Sequence, residues 1–158
     1  MKELIEYRIK MVARLREAAQ EFRSACEALH DPYEIAEGKW TFHQIASHTR
    51  DVQSNIYEVR ILRTLTEDNP EFKNFDADNW MKTKYSKEES LSKILDEFST
   101  SAEELCKTLS SLPREAWSRE SRHETMGNEL PLQLWVERSL AHIEEHLLAL
   151  KSSKIQRV

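Results

Sequence analysis

Four runs of the chain repeat apolar residues at steps of three, four and seven, the spacing that lines one face of an α-helix. The first covers Lys2 to Leu29, with Leu4, Met11, Leu15, Ala18, Phe22, Ala25 and Leu29 on one side, and Asp31-Pro32 stops it. The second opens at Thr41-Phe42-His43-Gln44, which has the form of a capping box, and reaches about Leu65 with Ile45, Val52, Ile56 and Val59 on one face. The third follows Ser86-Lys87-Glu88-Glu89, a second capping box by its pattern. It carries Leu91, Ile94, Leu95, Phe98, Ala102, Leu105, Leu109 and Leu112, and Pro113 closes it. The fourth spans Leu130 to Ser153, with Pro131 placed in its first turn and a continuous apolar arc of Leu132, Val136, Leu140, Ile143, Leu147 and Leu150. Only two glycines and four prolines occur in 158 residues, so helix is favoured nearly throughout. The predicted fold class is all-α, a four-helix bundle, and the length predicts a single domain over residues 1–158.

Between the runs lie a short connection, Asp31 to Trp40, and a long loop, Thr66 to Tyr85, joining helices two and three. The loop has little apolar periodicity, and Phe72, Phe75 and Trp80 are expected to pin it to the bundle; long loops inside compact domains are often functional. Arg114 to Glu129 is polar and broken, with Gly127-Asn128 as a turn signal, and the tail from Ser152 to Val158 is expected to fray.

A net charge of -5 offers no basic face for phosphates, which argues against nucleic acid as a partner. The start, Met1-Lys2-Glu3-Leu4-Ile5-Glu6, carries acids where a signal peptide needs an apolar core, and no apolar run approaches membrane-spanning length. A cytoplasmic protein without a membrane partner is the expectation. Cys26 and Cys106 are too few for a disulfide framework and sit at apolar helical positions, where two buried reduced thiols are expected.

The chemistry concentrates in His142-Ile143-Glu144-Glu145-His146. Histidines four apart on a helix share one face, separated by roughly 6 Å along the axis, so one ion could bridge both imidazoles. Both fall on the margin of the apolar arc, beside Trp135, Ser139 and Ala149, while Glu137, Glu144 and Lys151 fall on the opposite, solvated side. His48 lies within the apolar face of helix two; His43, about 140° away around that helix, is expected to face solvent. Three imidazoles converging from two helices make an open metal site with a position left for water or substrate. Two other motifs lack their context. His142-x-x-Glu145-His146 matches the inverted zinc-protease pattern, yet only twelve residues follow it, too few for that family's downstream carboxylate. A di-iron bundle needs two Glu-x-x-His motifs on separate helices, and Glu27 to His30 ends at a helix terminus while Glu120 to His123 lies in a predicted loop.

Trp40-Thr41, then His48-Thr49-Arg50-Asp51, then Ala141-His142-Ile143-Glu144-Glu145-His146-Leu147 resemble, in order and spacing over the whole chain, the DinB-like (YfiT-like) four-helix-bundle superfamily. The resemblance implies a long connection between helices two and three, a metal triad at His48, His142 and His146 commonly holding nickel or zinc, and in many members a homodimer. Characterised relatives include transferases and isomerases that use low-molecular-weight thiols, so a small-molecule substrate and a thiol co-substrate are implied. Arg50 departs from the apolar residues expected between His48 and Asp51, and the substrate-specifying residues do not transfer.

Two classes of function follow. In the first, a divalent ion on three neutral imidazoles acidifies a water or a thiol at its open position, giving a thiol S-transferase or a related hydrolase. Asp51 and Glu145, each three residues after a histidine, are candidates to orient an imidazole or act as base, or are solvated helix charges; Trp40 and Trp135 are read as packing residues. In the second, the chain is a non-enzymatic bundle, dimeric or partner-binding, with structural metal or none; Leu134 and Leu148 on the polar side of helix four would supply a dimer surface.

Overall fold

The computed structural model of the protein describes residues 1–155. Helix α1, Lys2–Glu27, buries Met11, Val12, Leu15, Ala18, Ala19, Phe22 and Cys26. A small hairpin follows, β1 (Ile35–Glu37) against β2 (Trp40–Thr41), turning through Gly38 at φ +58°, a conformation that suits glycine. Helix α2, Phe42–Val52, starts at the expected capping box: Thr41 Oγ1 accepts from the Gln44 amide at 3.1 Å, and Gln44 Oε1 accepts from the Thr41 amide at 2.9 Å.

The second rod is not a uniform α-helix. A π turn, Gln53–Tyr57, joins α2 to α3 (Glu58–Thr66), and the Glu58 amide donates five residues back to Gln53 O. One extra residue in a turn sets everything after it back by about 100°. The predicted stripe therefore holds through Ile45 and Val52 and fails beyond: Val59 is exposed and Ile56 only half-buried, while Gln53, Arg60, Ile61 and Thr64 turn inward.

The long connection between rods two and three is present, with structure of its own. It holds β3 (Glu71–Phe72) and helix α4 (Ala77–Lys84), which is capped by Asp76. Phe72 is buried, and Trp80 donates from Nε1 to Asp51 Oδ2 at 2.8 Å, so these residues pin the segment as expected. Rod three, α5 (Leu91–Ser110), is capped by Ser90, not by the predicted box at Ser86. Glu89, which that box would use, is drawn away: its carboxylate pairs with Arg50 at 2.8 Å and its carbonyl with His43 at 2.7 Å. Past Pro113 come a 3₁₀ turn (Arg114–Ser118) and the hairpin β4 (Glu120–His123) and β5 (Gly127–Pro131); β3 joins β4 in parallel to make a three-stranded sheet. Pro131 ends β5 and so precedes the last rod, α6 (Leu132–Ile155). That helix continues past Ser152, where fraying is expected, and residues 156–158 lie outside the described residues.

The four rods, α1, α2–α3, α5 and α6, form the bundle. Side-chain pairs fix their directions. Tyr7 with Glu137, Arg14 with Glu144 and Lys151 with Glu21 all span 130 residues, so α1 and α6 run parallel with a seven-residue repeat along their seam. Glu137, Glu144 and Lys151 thus form the α1–α6 rim, not a fully solvated face. Arg16 with Glu103 and Arg23 with Asp96 set α1 antiparallel to α5. Arg50 with Glu97 and Ser101 with Glu58 set α2–α3 parallel to α5. A parallel neighbour cannot be reached by a tight turn, and the 67–90 connection supplies the return along the bundle. Phe22, Ile94, Phe98, Leu105, Trp135, Ile143 and Leu150 fill the centre, each fully buried, and Phe22 meets Phe98 edge-on at 5.2 Å. Each such side chain contributes about 1.5–3 kcal/mol. Cys26 and Cys106 are buried thiols outside any disulfide, as expected, and burial pushes the Cys106 thiol up to about 11. Among the described residues no helix is long and apolar enough to cross a membrane.

Candidate metal centre

The Thr41 cap fixes where α2 begins, and His48 falls on its inner face before the π turn can shift the phase. Helix α6 runs antiparallel past it and offers His142 and His146 from successive turns. His48 Nε2 lies 3.1 Å from His142 Nε2, and His146 Nε2 lies 3.1 Å from that same atom; the three ligand atoms are all within 4.8 Å of one another. The three predicted site residues are therefore brought together. Trp40 stands against His48 with ring centroids 5.0 Å apart, packing one flank of the cluster.

Hydrogen bonding alone does not satisfy this convergence. An imidazole nitrogen has one in-plane position, holding either a proton or a lone pair, so His142 Nε2 can make one N–H···N bond and not two. An ion at about 2.0–2.1 Å from each of three tetrahedrally placed nitrogens would hold them roughly 3.3 Å apart, close to the 3.1 Å of the two contacts on His142. The protonation state fits as well. Burial, then the charge of His146, lowers the His48 pKa to about 4; burial, then His146 and His48, lowers that of His142 to about 2. Both are neutral near pH 7, the form that ligates a metal.

A pH dependence follows from these depressions. The unfolded imidazoles take up protons near pH 6.5 and the folded ones resist, so this part of the stability is complete above pH 6.5 and declines as the pH falls toward 4. The slope is at most about 1.4 kcal/mol per pH unit per imidazole. In metal-free protein the melting temperature is expected to fall over that window, and His142→Gln to flatten the fall. Parallel pH profiles for the two proteins would exclude the imidazoles as its source.

Around the triad the elements differ from expectation at several points. His43, expected in solvent, is fully buried: the connection folds over that side of α2, its Nδ1 meets Tyr85 Oη at 2.6 Å, and Tyr33 stacks on its ring at 4.9 Å. Angular position reports which residues face the core, not which are covered from outside. Arg50 turns from the triad to Asp51, Glu89 and Glu97 at 2.9, 2.8 and 3.2 Å, which explains how a charge fits beside the site. Asp51 is thereby engaged by Arg50 and Trp80, and Glu145 is exposed to solvent. Trp135 is fully buried, as a packing residue should be. His123 serves its hairpin, with Nδ1 accepting from the Thr125 and Met126 amides, both at 3.2 Å.

Two neighbours of the triad lie in the π turn and carry no sequence signal. Gln53 Oε1 accepts from Ser139 Oγ at 2.8 Å, one turn before His142, while its Nε2 is buried without a partner among the described residues, at a cost of about 1–3 kcal/mol. Tyr57 places its ring 5.8 Å from that of His142.

A family model described as the DinB superfamily matches residues 14–150. The fold is similar to that of YfiT from Bacillus subtilis, whose structure is described as that of a probable metal-dependent hydrolase with an unusual four-helix bundle topology. The two share 22% identity with a TM-score of 0.84, covering 96% of this chain and 88% of that one. At that identity the likeness is one of fold. No protein of curated function matches the chain.

Proposed function

The chain belongs to the DinB superfamily, and from that premise we propose that it is a divalent-metal-dependent enzyme whose ion, nickel or zinc, is held by His48, His142 and His146. The observation that carries this reading is the meeting of three Nε2 atoms at one point, with two contacts of 3.1 Å on a single His142 nitrogen. A divalent ion there would acidify a water or thiol at the position that three protein ligands leave open. The chain's own residues supply the rest: neutral imidazoles as donors, the Trp40 ring packed against His48, and the Gln53–Ser139 bond fixing α2 against α6 next to the ligands.

The reaction proposed is thiol S-transfer or a related hydrolysis. In the transfer, a low-molecular-weight thiol bonds through sulfur to an electrophilic carbon of a small-molecule substrate, and its proton goes to the departing group; in the hydrolysis, water takes the thiol's place. The likeness to YfiT, a probable metal-dependent hydrolase, supports the hydrolytic form. The proposal further takes residues 1–158 as one domain and the protein as a cytoplasmic homodimer; the unbridged Cys26 and Cys106 support a reducing setting, and Leu148, 65% exposed, supports a face for a second copy. A non-enzymatic bundle is the second reading, favoured by no observation at the triad.

The test is conjugation of several thiols to a model electrophile, with water hydrolysis of an activated ester in parallel, each with and without added nickel or zinc. Metal-dependent turnover that disappears in His48→Ala is expected. Equal rates with and without metal, across both reactions, would reject the proposal.

A further inference from the structure

Tyr57 lies nine positions after His48, and in an uninterrupted α-helix that spacing turns through about 900°, placing the two side chains on opposite faces. The π turn Gln53–Tyr57 takes back about 100°, which leaves Tyr57 roughly 80° from His48, on the side that faces α6. Helical side chains lean toward the N-terminus, so Tyr57 reaches back along the π turn toward α2 and the triad. Its ring accordingly lies 5.8 Å from that of His142, at an interplanar angle of 53°.

The hydroxyl is the informative part. The chain has four tyrosines, and three have bonded hydroxyls: Tyr7 to Glu137, Tyr33 to the Lys87 carbonyl and Tyr85 to His43. Tyr57 is the one whose hydroxyl has no hydrogen-bond partner among the described residues, although its ring is half-buried. A π turn replaces good helical hydrogen bonds with poorer ones and is commonly kept where it serves a site. Here it also carries the orphaned Gln53 amide, so local stability does not account for it.

We infer that the π turn is the device that brings Tyr57 to the imidazole cluster, where its hydroxyl is a substrate-positioning donor to an acceptor oxygen, carbonyl or carboxylate, of the molecule bound beside His142. The inference rests on the metal reading of the triad and adds to it the class of group the substrate presents. Tyr57 acts on the ligand and not on the ion, so metal affinity and ligand affinity separate when it is altered.

The experiment uses the full chain loaded with cobalt(II), with sodium azide as the probe anion, and follows the visible absorption bands. Tyr57→Phe keeps the ring and removes the donor. Cobalt stoichiometry and affinity are expected to match the unaltered protein, while azide binds about tenfold more weakly, the effect of one hydrogen bond to an anion. Equal azide affinity in the two proteins overturns the inference, as does loss of cobalt from Tyr57→Phe, which makes the tyrosine a support of the triad itself. Failure of the unaltered protein to take up cobalt is a separate result, and overturns the metal reading together with this one.

Discussion

His142→Ala is expected to abolish stoichiometric binding of nickel or zinc while leaving the bundle folded. His142 Nε2 is the shared atom of both 3.1 Å contacts, so its loss leaves His48 and His146 as the remaining pair. Removing an outer partner of a metal ligand costs ten- to a hundredfold in affinity, and removing a ligand from a set of three is expected to cost at least about a hundredfold. The fold is spared because the His142 ring is only half-buried, while the centre of the bundle is filled by Phe22, Phe98, Ile143 and Leu150, which the substitution leaves in place. His43→Ala is the informative contrast. That residue is fully buried, more so than His142, and bonds Tyr85 and the Glu89 carbonyl, so metal binding is expected to persist while the connection over α2 loosens. Titration of both variants against a competing chelator, with melting curves beside it, checks the pair. Equal metal affinity in His142→Ala and the unaltered protein would remove the triad from the account.

The largest effect on stability is expected at Trp135, where Trp135→Ala should cost about 3–5 kcal/mol. The indole is fully buried on α6 and ties three parts of the chain together. Its Nε1 donates to Ser121 Oγ at 2.8 Å on β4, Phe72 of β3 meets it edge-on at 5.5 Å, and the Arg60 guanidinium of α3 lies 4.8 Å from its ring centre. Alanine would leave a cavity, a Ser121 oxygen without its donor and a buried arginine without its ring. At about 2–4 °C per kcal/mol for a chain of this size, the melting temperature should fall by roughly 10 °C. Chemical denaturation measures it directly, and Trp135→Phe should recover part of the loss by refilling the space without the N–H. A cost under about 1 kcal/mol for the alanine variant would mean that the sheet and α6 are not coupled through this side chain.

What the sequence discloses and what it hides divide at identifiable residues. The four rods are legible because their apolar stripes are long, and the Thr41 box is legible because both its partners are local. The histidine cluster is legible because His48 precedes the π turn and His142 and His146 share one regular helix. Beyond Gln53 the helical period misleads: an inserted residue leaves no mark in composition, so Val59 is read inward and Arg60 and Tyr57 are overlooked. His43 and Ser86 fail for a different reason. Their outcome depends on where a segment some forty residues away packs, and Glu89 is taken by Arg50 and His43 before it can cap a helix. The small sheet of β3, β4 and β5 lies in stretches of two to five residues, too short for alternation to register.

The measurement that bears most directly on the whole account is metal-edge X-ray absorption on protein loaded with one equivalent of zinc. Three imidazole nitrogens at about 2.0–2.1 Å, with one further light atom and no sulfur, are expected. A shell containing cysteine sulfur, or one made of oxygen alone, would place the ion away from His48, His142 and His146 and contradict it.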